Sequence, residues 1–201
     1  MEPVFLRLRG VVDMLVMRAG WRTRFDVSPA GFWRSFLAAI PAAPLFIVTI
    51  YGQNMVAAAL TPEGAEAHPV DVLESALLFV SMWVYFPLVA RVFTRVFRLD
   101  SSFAPWVVVH NWTALLLLAI QCGVAALVLG GVLTPRAYME IGGVYFIFAI
   151  YAHCRAAIGA IAAPAPVALG GACVAILIWL VLQLLLIAAF SGGALQVLSQ
   201  G

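Results

Sequence analysis

Residues 86–112, FPLVARVFTRVFRLDSSFAPWVVVHNW, decide the fold. The stretch starts deep in one apolar segment and leaves it through an arginine-studded end. It turns in a few polar residues and enters a second apolar segment. Arg91, Arg95 and Arg98 fall at i, i+4 and i+7, so they share one helix face. Val92, Phe93, Val96 and Phe97 cover the other side. A membrane helix running out through the headgroups has this pattern, with guanidinium groups reaching phosphate while their stems stay in apolar surroundings. Ser101 or Ser102 is placed to cap the next helix, and Pro105 is tolerated in its first turn.

The rest of the chain agrees with a membrane setting. Hydrophobic residues make up 65% of it and charged residues 10%, whereas a soluble domain is about one quarter charged. All 11 basic residues are arginine, and the net charge of +2 is too small to suggest nucleic acid. Cys122, Cys154 and Cys173 sit in apolar segments with no CxxC spacing, and read as small core residues. No cleavable signal peptide is expected, because Asp13 interrupts the first apolar run and no small-residue cleavage site follows.

Taken in order, residues 1–27 read as an N-terminal segment built on an amphipathic helix over 2–19. Phe5, Leu8, Val12 and Leu15 recur at helical spacing, with Arg7, Arg9, Asp13 and Arg18 between them. The run is too short and too charged to span a bilayer, so it is expected to lie in the interface; the alternative is a helix packed on the bundle outside the membrane. Residues 28–190 form the transmembrane domain. Ser28 reads as an N-cap with Pro29 at the first helical position, and Phe32 and Trp33 mark the headgroup level. Spans are expected over about 30–58, 72–92 (continuing to Arg98), 103–129, 137–158 and 168–190. Pro41 and Pro44 are expected to kink the first. The loop 61–70 carries Glu63 and Glu66 and no basic residue, the run APAP at 163–166 separates the last two spans, and 191–201 is a short tail. The fold class is therefore all-α: a polytopic bundle of five transmembrane helices with an interfacial N-terminal helix.

Five spans put the termini on opposite sides. With the N-terminus in the cytoplasm, every arginine except Arg136 falls inside, and the positive-inside rule favours that orientation in a bacterial inner membrane, with the C-terminus outside.

Two stretches, FTRVFRLDSSFAPWVVVHNW and YFIFAIYAHCRAAIGAIAAPAPVALGG, give the chain a resemblance to the Yip1 family of five-span membrane proteins, over roughly residues 28–190. The resemblance implies a five-span bundle with a cytosolic N-terminus. Eukaryotic members of that family are similar to trafficking adaptors that engage Rab GTPases; their DLYGP-type motif does not occur in this sequence. The resemblance thus implies a fold more than a GTPase partner.

Polar residues inside a membrane segment are functional candidates by default. His110, Asn111 and His153 form the best constellation, since the two histidines lie at comparable depth on antiparallel helices, and Arg91 approaches from the second span. Three readings stay open: hydrogen bonds that fix packing, a polar path for a proton or small solute, or a metal or haem site. The last lacks a complete ligand set, because zinc wants three or four protein ligands and Cys154 points away from its neighbour His153. No metal and no cofactor is expected. Glu74 sits a turn inside the second span, and Arg136 with Glu140 reads as a surface i, i+4 pair. Gly130–Gly131, Gly142–Gly143 and Gly170–Gly171 read as close helix contacts, as do the small-residue pairs Ala119/Gly123, Ala156/Ala160 and Gly171/Ala175.

No nucleophilic triad and no phosphate-cradling glycine motif is visible, so an enzyme is not expected. The expected role is structural: an adaptor or accessory subunit of a membrane complex. It would use Arg91, Arg95 and Arg98, with Arg7 and Arg9, to bind anionic lipid or a protein partner, either another membrane protein or a second copy of itself. The alternative is a small transporter or channel with a polar path near His110 and His153.

Overall fold

The computed structural model describes residues 2–62 and 69–191, and they are helical with no strand among them. Helix α1 is Glu2–Leu15, followed by a 3-10 turn at Trp21–Arg24. The others are α2 Pro29–Ser35, α3 Ala39–Leu60, α4 Val72–Val96, α5 Phe103–Leu129, α6 Pro135–Ala160 and α7 Ala165–Ser191. Five helical segments are long and apolar enough to cross a membrane, with α2 and α3 together forming the first. The chain is an integral membrane protein by this measure. The expected loop around Glu63 and Glu66 and the tail beyond Ser191 lie outside the described residues.

Local chemistry sets the helix ends. Ser28 accepts the Gly31 amide at 3.1 Å with Pro29 behind it. Asp71 accepts the Glu74 amide at 2.6 Å and Thr134 that of Ala137 at 3.2 Å. The first span is broken by a 3-10 turn at Phe36–Ala38, one turn before Pro41. Pro41 has no N–H for the Leu37 carbonyl and its ring crowds it, so the helix tightens before the proline rather than running through it. Pro44, and Pro87 in α4, are carried inside their helices.

Serine capping of α5 is corrected. Ser102 stands at the N-cap without a side-chain cap. Its Oγ instead accepts the Ala162 amide at 2.9 Å, tying the start of α5 to the α6–α7 turn.

Helix α5 is the centre. It packs on α3, α4 and α6, and α7 closes the bundle between α4 and α6. Ten consecutive residues, Trp106 to Leu115, are buried all round. Small residues let the others approach. A Cβ on Gly171 would stand 3.0 Å from the Phe93 and Trp106 rings, and one on Gly52 would stand 2.7 Å from Ala125. The Gly171/Ala175 pair is such a contact, whereas Gly123, Gly142, Gly143 and Gly170 face open space. Gly131 serves a turn, at φ 72.

Helix α1 packs on α5 and α6, with Val11 and Met14 fully buried. Its contact face differs from the expected stripe: Phe5 and Val12 are exposed, while Gly10, Val11, Asp13 and Met14 are buried. The reason is local. A Cβ at Gly10 would meet Arg24 and Phe25 at 3.0 Å, and Asp13 is drawn inward to Arg24 at 2.7 Å and Arg18 at 3.1 Å. That turns Val12 outward.

Candidate functional site

The structure brings His110 and His153 together. His110 lies seven residues after Phe103 and His153 seven before Ala160, so antiparallel helices place both roughly 10 Å inside the same end. Their rings lie face to face, centroids 4.9 Å apart at 24°. Phe86 stacks on the other side of His110 at 3.3 Å, and Tyr85 meets it edge-on at 6.3 Å.

Asn111 does not join them. One residue along the helix turns it by about 100°, and its Nδ2 donates to Ser35 Oγ of α2 at 2.9 Å. Ser35 in turn donates to the Phe32 carbonyl at 2.7 Å. Asn111 therefore fastens the first span to α5. Arg91 also stays away from the histidines, held by Asp100 at 3.1 Å and lying over the Phe103 ring at 5.4 Å.

Above the histidine pair lies a cavity of about 320 Å³ that all five spans help to line. Its polar groups come one or two per helix: Thr49 and Gln53 from α3, Tyr85 from α4, His110 and Gln121 from α5, Tyr145 and His153 from α6, Gln183 from α7. Some are already engaged. The Tyr138 side chain lies near those of Gln53 and Gln121. Tyr145 donates to the Leu117 carbonyl at 3.2 Å and Thr49 to that of Leu45 at 2.9 Å. The Gln183 amide nitrogen is buried and has no hydrogen-bond partner among the described residues. No carboxylate, guanidinium or ammonium group lines the cavity. Below the histidines, Phe86, Trp106, Ala172 and Ala175 enclose only about 10 Å³ of space, so the cavity has a floor.

The three glutamines went unrecognised as a group in the sequence. The available signal is one amide on each of three spans, but sequence alone does not give the rotation that turns them to a common centre. Among the described residues no three His, Cys, Asp or Glu side chains converge on one point.

The arginine end is the second candidate. Arg95 and Arg98 are exposed, and neither has an ion-pair partner among the described residues. Val92, Val96 and Phe97 beside them are also exposed. Of the N-terminal pair, Arg9 is exposed, whereas Arg7 donates to the Arg24 carbonyl. Arg22 donates to the Gly159 carbonyl at 2.9 Å and lies over the Trp21 ring. Asp26 accepts the Ser28 amide at 3.1 Å; Ser28, with Arg7 and Arg34 nearby, holds its carboxyl below the ordinary value. Glu74 is buried at the opposite end of α4, and Arg136 pairs with Glu140 at 3.2 Å on the surface.

Comparison with protein-family models, with curated proteins and with solved structures finds no match to this chain.

Proposed function

We propose that the protein is an adaptor or accessory subunit of a membrane complex, similar in kind to five-span Yip1-like proteins. Its arginine-rich end faces the cytoplasm of a bacterial cell and its C-terminus lies outside the inner membrane. The observation that carries this reading is the pair Arg95 and Arg98, exposed and unpaired beside exposed Val92, Val96 and Phe97. Cationic heads over an apolar skirt suit a partner that offers acidic groups at the membrane surface, either a neighbouring membrane protein or anionic lipid, at about 1 kcal/mol per arginine near the surface. Arg91 and Arg7 are engaged within the chain and serve as supports. The floor below the histidines supports an adaptor over a channel, which needs an open path at both ends.

The test is a double substitution, Arg95→Gln with Arg98→Gln. Arg91, Arg34 and the N-terminal arginines keep the orientation. Purification in mild detergent, with mass spectrometry of bound protein and lipid, should show at least a severalfold loss of one of them. Unchanged recovery of both overturns the docking role.

A further inference from the structure

The central cavity combines features that a packing defect lacks. Polar side chains reach it from all five spans, yet it holds no charged side chain of fixed sign. Gln183, one of the residues lining it, has a buried amide nitrogen with no hydrogen-bond partner among the described residues. An unsatisfied donor in a membrane interior costs free energy, and an acceptor brought by a ligand removes that cost. Trp179 lies one helical turn before Gln183 on the same face of α7, and the Tyr85 ring stacks on it at 4.7 Å and 30°. A flat hydrophobic wall therefore stands next to the free donor.

The cavity also has a side approach. A groove of about 440 Å³ opens between α3 and α4, lined mainly by apolar residues. Phe46 and Ile50 line both the groove and the cavity. The Phe46 and Phe79 rings, 5.3 Å apart, stand across the gap between the two helices. The two rings touch, so entry from the bilayer by this route, which avoids water, requires them to part.

We propose that the cavity binds a neutral, lipid-soluble ring carbonyl compound of the quinone class, admitted from the bilayer between α3 and α4. Its ring lies against Trp179 and one carbonyl oxygen accepts the Gln183 amide. A charged ligand would meet no counter-charge there, and a purely aliphatic one would leave the amide unsatisfied. Binding is independent of the arginine end, so the Arg95→Gln, Arg98→Gln variant should bind as the parent does.

The test uses the full chain in nanodiscs of synthetic, quinone-free lipid. Decyl-ubiquinone is titrated in, decylbenzene serves as the carbonyl-free control, and empty discs give the partition background. Saturable binding near one decyl-ubiquinone per chain is expected, with no saturable binding of decylbenzene. Gln183→Met keeps the side-chain length and removes the donor, and should weaken binding about tenfold, the effect of one hydrogen bond to a buried group. Trp179→Leu should weaken it as well. Monodisperse elution qualifies each variant, and where one fails to fold the other decides. If neither folds, discrimination between the two probes by the parent protein decides. Decyl-ubiquinone binding no greater than in empty discs, equal binding of decylbenzene, or full affinity in a folded Gln183→Met variant overturns the proposal.

Discussion

The two halves of α5 are unlike each other. From Trp106 to Leu115 every side chain is buried, under Phe86, Phe93, α1, α2 and the alanine face of α7. Beyond Ile120 only Ala125 and Val128 are buried, with Val56 and Tyr138 around them. The cavity meets α5 from His110 to Gln121, where the dense half gives way to the looser one. The difference teaches where stability and binding are separated. In lipid there is little hydrophobic drive between helices, so cohesion comes from close contact. One half concentrates that contact, and the cavity opens where it gives way.

The sharpest way to break the comparison is to empty one site in each half. Trp106→Ala, in the dense half, should cost about 3–5 kcal/mol. Ile120→Ala, at a position 38% exposed, should cost under about 1 kcal/mol. Reversible unfolding in mixed micelles measures both, and similar losses would erase the distinction. Filling rather than emptying gives the next effect. Gly171→Leu drives a side chain into Phe93 and Trp106 and should cost about 1–3 kcal/mol. Gly123→Leu points into open space and should change stability by less than about 0.5 kcal/mol by the same assay.

Smaller effects test the rim of the dense half. Helix α4 ends with Leu99 N–H donating to the Thr94 carbonyl at 2.7 Å and Arg98 N–H to that of Arg95 at 3.3 Å. This Schellman closure places Arg98 at φ 55, where glycine is the favoured residue. Arg98→Gly should therefore stabilise the fold by up to about 1 kcal/mol even though a charge is lost; a loss of stability would show that the side chain holds the rim. The closing turn of α5 is built the same way, with Gly131 already in place.

The smallest expected effect is a pH dependence at Asp26. Its folded carboxyl lies below the ordinary value of 3.8, chiefly because of the Ser28 hydrogen bonds. The unfolded chain then binds the proton more readily, so the contribution is fully present above 3.8 and is lost as pH falls through the lower folded value. Asp26 is solvated, and screening keeps the effect small. Melting curves of Asp26→Asn and the parent should converge in acid; a constant gap at all pH values would rule the carboxyl out as the cause.

Much of the frame was legible from residue type. Length and apolarity located the five spans, Ser28–Pro29 located the start of the first span, and equal depth brought His110 to His153. What stayed hidden was rotation about each helix axis. In a soluble helix the polar face reports that rotation, but in α3, α5 and α7 both lipid and protein neighbours are apolar, so periodicity is silent. Asn111 could thus be placed at the right depth and assigned to the wrong neighbour. The same silence hid the convergence of Gln53, Gln121 and Gln183. For α1 the polar pattern was misleading, because Asp13 turns inward to Arg24 and Arg18.

The fit of Gly171 against Phe93 and Trp106 also has a history in time. Gly171 follows Phe93 by 78 residues in the chain, and at ribosomal speed that is an interval of roughly 4–16 s. From Trp106 onward both aromatic rings have been made, while the surface that covers them has not. A nascent chain stalled before the fifth span would show those rings to the bilayer. The fifth span is thus the one that removes this signature of an incomplete bundle.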